Sequence, residues 1–378
     1  MVSLPAHLVA TPVLERLTEA LPGARSGGRG GELEGVILGI GATAAWVDLD
    51  GFVIAVTTRE VPLLPNAIVL AAGSGALAGV GAGSGGTARL GPGRLTLGSV
   101  QVTWDPAAPR SWDPTVPVPE GVTVPAVEAR GVALLRALGS EGTMGAVGAV
   151  GAVDNHDHRL PRSATLPHRG PEQPPGAEAH ARGRVSARDP AQDPAEDLVR
   201  TLTRIGLATA NDPEGAAGLA LLFRAVRERD PEPAVAAVRA LLGRGPGLTP
   251  EGDDLLAAVA GSLAVLGPAV YSSAPPHEPP PDRFRGEVPT DPPGDPLLAT
   301  LTSIPGRTTA LSGTLLALAA TRRLPEPAGR LLDLSPAGEK AWPAALARLE
   351  RLGHGSGRAY AAGIAVTSSL LGAAAPHD

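Results

Sequence analysis

The sequence predicts an α+β chain: a small N-terminal antiparallel β domain, then a C-terminal all-α helical domain, the two joined by a disordered linker. Three observations predict it. Between residues 33 and 104 the apolar residues fall in short β-branched runs separated by turn signals such as Asp50-Gly51. From Gly139 to about Pro194 periodicity disappears into a Gly-Ala-Val triplet repeat, Gly145 to Val153, and then into Pro, Arg, Gly and acidic residues. From Ala195 onward each ordered stretch carries its apolar residues at helical spacing.

Composition sets outer limits on function. With 378 residues the chain can bury one core and more readily two. The 49 glycines, 40 prolines, 2% aromatics and a single lysine, Lys340, suggest a GC-rich coding bias and long unstructured inserts. A net charge of −6 leaves no polybasic patch, which argues against nucleic acid as a partner. The absence of cysteine excludes disulfides, thiolate metal sites and cysteine nucleophiles. Met1 to Gly23 lacks a basic segment leading into an apolar one, and no stretch reads as crossing a bilayer, so a cytoplasmic protein without membrane contact is expected.

Taken in order, Leu4 to Leu21 reads as an amphipathic helix, with Leu8, Val9, Val13, Leu14, Leu17 and Leu21 at compatible spacing. Strand-like runs follow at Leu33 to Ile40, Ala44 to Leu49, Phe52 to Val56, Ala67 to Ala71, Leu95 to Val100 and Val102 to Trp104. They predict a small antiparallel barrel or sandwich over roughly residues 30–105, closed by a helix near Pro125 to Leu138, within an N-terminal unit spanning 1–138. Gly81-Ala82-Gly83-Ser84-Gly85-Gly86 matches the dinucleotide-binding G-x-G-x-x-G, but Thr87 to Pro92 cannot open the helix that such a site needs, so the segment reads as a hairpin loop. In the linker, 139–194, the residues His156, Asp157, His158, His168 and His180 read as incidental to a polar segment, not as metal ligands.

The third unit, 195–378, is expected to hold about eight helices, interrupted by a proline-rich surface insert at 272–296. Its central feature is the loop Gly243 to Asp254 and the apolar run Leu255 to Leu266. Thr249 is a natural N-cap and Pro250 suits the first helical position. The run is apolar nearly all round, which places the helix inside the domain and its first turn in a recess. Gly252 stands where a capping box would want Glu or Gln, at a cost of roughly 0.5–1 kcal/mol relative to alanine, so close backbone approach is expected there. Asp253 and Asp254 lie late for the helix dipole, whereas Glu251 is well placed for it. The plain reading is acids decorating a helix start; the sharper one is a site where backbone amides near Gly247 to Gly252 hold an anion and the carboxylates orient an amide, a water or a metal. Two further helices open in the same style, at Arg307-Thr308-Thr309 with Ser312, and at Gly353-His354-Gly355-Ser356-Gly357-Arg358. Small residues at Ala257, Gly261, Ala361, Ala362, Gly363 and Ala365 suit close helix contact, which would bring these starts together if they share an end. For the Arg307 to Thr309 turn and for His354, a solvated cap and a structural histidine are the plain alternatives.

Gly245-x-Gly247-Leu248-Thr249-Pro250-x-Gly252-Asp253-Asp254, then Thr308-Thr309 with Ser312, then Gly353-His354-x-Ser356-Gly357, resemble the bacterial family that contains the H subunit of oxamate carbamoyltransferase. The likeness covers mainly residues 195–372. It implies a part in reversible carbamoyl transfer between oxalurate and phosphate, giving oxamate and carbamoyl phosphate, within an assembly with two other subunit types. Such small anions bearing amides fit the residues already picked out. On this reading Asp253, Asp254 and His354 are catalytic, and Arg244, Gly245, Gly247, Thr249, Gly252, Arg307, Thr308, Thr309, Ser356 and Gly357 bind substrate, with Arg358 a further candidate for its oxygens. No metal and no cofactor are expected. Glu251 stands where the resemblance leads to a small residue, and Ala359 where it leads to an acid. Two other readings remain: a non-catalytic metabolite-binding or assembly subunit, and a metal-dependent hydrolase built on Asp253, Asp254 and His354.

Overall fold

The computed structural model describes residues 2–20, 31–81, 83–141, 193–245, 248–271, 295–302, 308–353 and 355–374. The greater part of the expected linker, and nearly all of the proline-rich insert, lie outside them.

Nine strands form the N-terminal part: β1 Val2–Ala10, β2 Leu33–Ile40, β3 Ala44–Leu49, β4 Phe52–Thr57, β5 Ala67–Leu70, β6 Thr87–Gly91, β7 Arg94–Leu97, β8 Val100–Thr103 and β9 Ser111–Trp112. They run in the order β5-β4-β3-β2-β6-β7-β8-β1, and β1 returns to pair with β5, so eight strands close into a barrel with β9 added beside β1. The pairs β4–β5, β1–β8 and β1–β9 are parallel and the others antiparallel. The expected small antiparallel β domain is therefore corrected to a closed, mixed barrel within a mixed α/β arrangement. Much of this comes from β1. Leu8, Val9, Val13 and Leu17 stand at helical intervals, yet only Thr11–Ala20 forms a helix (α1), and the preceding nine residues are the strand that supplies closure and two of the three parallel pairs.

Local chemistry explains the rest of the barrel. Asp50 and Gly51, at φ 54° and 82°, make the tight turn between β3 and β4, with the Asp48 carboxylate accepting from Gly51 N at 2.7 Å. Ala45, Val47 and Leu49 point inward with Ile54, Val56, Ile68, Leu70, Leu90 and Leu95 to fill the interior. On β4 and β5 the outward residues are buried as well: Val53, Ala55, Ala67 and Val69 are at most 2% exposed, Val53 under a helix and the other three largely under the segment Val61 to Leu64. The glycine-rich stretch before β6 is a loop tied to β2 through Gly85 N to Ile37 O and Ile37 N to Gly86 O, both 2.8 Å, and it opens a strand.

The remaining elements are helices: α2 Val124–Glu141, α3 Pro194–Arg204, α4 Ala208–Asn211, α5 Pro213–Glu228, α6 Pro231–Leu241, α7 Glu251–Tyr271, α8 Pro296–Thr302, α9 Ala310–Ala320, α10 Glu326–Leu331, α11 Pro336–Glu350 and α12 Ser356–Ala374. Contrary to expectation α2 does not close the β region. It packs along α12, where a Cβ on Gly131 would come 2.5 Å from Ser369 N, and its Val127, Leu134 and Leu138 join the helical core. Among the described residues α7 alone is long and apolar enough to cross a bilayer, but it is the core helix, most of it buried in protein. α12 crosses it so closely that a Cβ on Gly363 would sit 2.6 Å from Ala258 Cβ. Gly261, by contrast, makes room for Leu324 and not for α12. The helices dock on the barrel through α9: Leu311 and Leu315 cover Val53, whose amide donates to Thr314 Oγ1 at 2.9 Å.

Candidate functional site

The starts of α7, α9 and α12 meet at one end of the helical layer. Thr249, expected as the cap of α7, instead pairs its hydroxyl with Ser356 Oγ at the start of α12, 2.9 Å away. Thr308 donates to Asp253 Oδ2, and Thr309 donates to Leu248 O at 2.7 Å while capping α9 through Ser312 N at 3.1 Å. Helices α7 and α12 thus run side by side in the same direction. Three helix dipoles, each placing roughly half a positive charge at its N-terminus, converge here. The barrel stands close by, since a Cβ on Gly39 of β2 would meet the Leu248 side chain at 3.7 Å.

Glycines make the convergence possible. A Cβ on Gly252 would lie 2.2 Å from Leu241 O at the end of α6, and one on Gly357 would lie 1.7 Å from Leu349 O in α11. Each lets a helix start press against the last turn of the helix before it. The close approach expected at Gly252 is therefore to the protein's own backbone. Gly245, at φ 113°, has no room for a side chain beside Glu251 N.

The two aspartates divide their work. Asp253 Oδ1 accepts from Gly243 N at 2.7 Å and its other oxygen accepts from Thr308, so it ties three stretches of chain together. Asp254 is 4% exposed and its Oδ2 has no hydrogen-bond partner among the described residues. Burial pushes its carboxyl up to about 7; the Asp253 and Glu251 charges add to this, and the Ser356 and Thr249 hydroxyls beside it oppose. A carboxyl that exchanges its proton near neutrality, with an unbonded oxygen beside two hydroxyls, can accept or return a proton during a reaction.

Other expected residues fall elsewhere. Arg244 pairs with Asp212, with Glu214 at 2.5 Å and with Ala240 O at 2.8 Å, so its guanidinium is committed to the start of α5. Arg358 turns towards Leu138 O and Glu350. Gly247, Arg307 and His354 lie outside the described residues. Glu251 reaches across to α4, accepting from Ala208 N at 3.2 Å and Thr209 N at 2.6 Å, a helix start with no cap of its own. Tyr360 is a residue that sequence reading passed over. It is 2% exposed, one turn after Ser356 on α12, and both burial and the Asp254 charge keep its phenol protonated. The spacing of four from Ser356 was the available signal. Among the described residues no group of three or more His, Asp or Glu is placed to hold a metal ion. A cavity of about 740 Å³ opens between the 112–123 connector and α10, and none of the motif residues lines it.

Fold and site together define a barrel-backed helical protein with a buried carboxyl where helix starts converge. Residues 241–368 match the model of the family described as oxamate carbamoyltransferase subunit AllH, the family whose motifs the sequence resembles. That segment contains all three helix starts. Comparisons with curated proteins and with solved structures give no match.

Proposed function

We propose that the chain is a cytoplasmic subunit of a carbamoyltransferase, working with two other subunit types, and that the recess at the starts of α7, α9 and α12 binds oxamate or oxalurate and carbamoyl phosphate. The observation that carries this is the Oδ2 of buried Asp254, unpartnered among the described residues and beside the starts of α7 and α12. The positive ends of the helix dipoles favour carboxylate or phosphate oxygens and the oxyanion that forms as the carbamoyl carbon is attacked. Asp254 takes up the proton that the attacking group loses. Asp253 is a positioning residue, holding the Gly243 loop and Thr308 in register with the recess.

In this mechanism the ionised fraction of Asp254 increases with pH through about 7, so turnover increases over the same range. Titration calorimetry of the purified chain with oxamate, oxalurate and carbamoyl phosphate tests the reading. Binding of one or more of these that is lost or sharply weakened in Asp254→Asn is the expected result. No heat from any of the three, alone or with the partner subunits present, would overturn it.

A further inference from the structure

We propose that Ser356 is a nucleophile that carries the carbamoyl group covalently, with Asp254 as its base. The inference rests on the functional reading above, and its argument comes from the surroundings of one hydroxyl. Ser356 opens α12 between Gly355 and Gly357, where a Cβ on Gly355 would meet nothing within 4 Å. Its preceding turn is tightened by Gly353 at φ 66°, with Ser356 Oγ 3.3 Å from where a Gly353 Cβ would stand. Oγ is held at 2.9 Å by Thr249 Oγ1 and lies beside the buried Asp254 carboxyl, whose Oδ2 has no partner among the described residues. A serine on a glycine-flanked turn into a helix, with a base at hand and helix amides nearby, has the parts that an activated hydroxyl requires.

The step balances without a further reactant. Ser356 Oγ attacks the carbamoyl carbon of carbamoyl phosphate, the bond from that carbon to the phosphate oxygen breaks, and the serine proton passes through Asp254 to the leaving phosphate. The oxamate nitrogen then attacks the carbamoyl carbon, the bond to Oγ breaks, and Asp254 returns the nitrogen's proton to Oγ. Direct transfer between the two substrates would need only binding and Asp254. The seryl intermediate is what separates the two routes.

The test is incubation of the full chain with isotopically labelled carbamoyl phosphate without oxamate, followed by acid quench and peptide mass mapping, alongside calorimetry of the same samples. Label on the peptide carrying Ser356, discharged by adding oxamate and absent from Asp254→Asn, is expected. Ser356→Cys, a near-isosteric change that keeps a nucleophile at the position, should carry the label on its thiol. Binding of carbamoyl phosphate without label at position 356 in either protein would overturn the covalent route and leave the site assignment standing. Absence of binding would overturn both.

Discussion

Replacing Asp254 by asparagine should remove the chemistry and make the protein more stable at neutral and alkaline pH. Burial raises this carboxyl from 3.8 in the unfolded chain to about 7 in the fold. Between those values the native state holds a proton that the unfolded state has released, so stability declines as pH rises, the reverse of a carboxylate with a depressed value. The penalty starts near pH 3.8 and is complete above about pH 7, where it amounts to roughly 4 kcal/mol. About 2.5 kcal/mol of it develops between pH 5 and pH 8. Asparagine keeps the shape and cannot ionise. Urea denaturation of both proteins at pH 5 and pH 8 reads the effect directly: the advantage of the variant over the wild type should grow by about that amount at the higher pH. An advantage that stays constant between the two conditions would refute the reasoning, because it would mean that Asp254 titrates alike in both states.

Gly252→Ala should destabilise by about 1–3 kcal/mol in the same assay and weaken ligand binding, since the added methyl would meet the backbone carbonyl of Leu241 and force α7 away from α6. Glu251→Gln removes a charge that raises the Asp254 carboxyl, so the rise of turnover with pH should move to lower pH in a pH–rate profile.

Much of the site could be read from local chemistry. Gly252, Thr308, Thr309 and Ser356 are small or hydroxyl-bearing residues at helix starts, and helix starts announce themselves within four or five residues. Their meeting could not be read, because it depends on α7 and α12 running in the same direction, which no local pattern encodes. The unequal burdens of Asp253 and Asp254 were likewise hidden: neighbours in sequence point to different partners on a helix, and Thr308 and Gly243 are far from each other along the chain. Arg244 misled for a related reason, as its acidic partners Asp212 and Glu214 lie on another helix. In the barrel, β3 and β4 were legible from short apolar, β-branched runs on either side of the Asp50-Gly51 turn. Thr87–Gly91 carries few β-branched residues, and β1 counterfeits a helix by running without a break into α1; together these hid the closure.

The three helix starts also have a bearing on how the chain folds. Thr308 reaches a partner 55 positions away and Ser356 one 107 positions away, while α9 is held by a strand 261 positions away. Helices form within microseconds from contacts close in sequence, whereas pairings over such distances wait on the slow closure of long stretches of chain. The recess is therefore among the last features to exist as the protein folds. A chain with its full helical content but without these long-range pairings would not bring Asp254 beside Thr249 and Ser356.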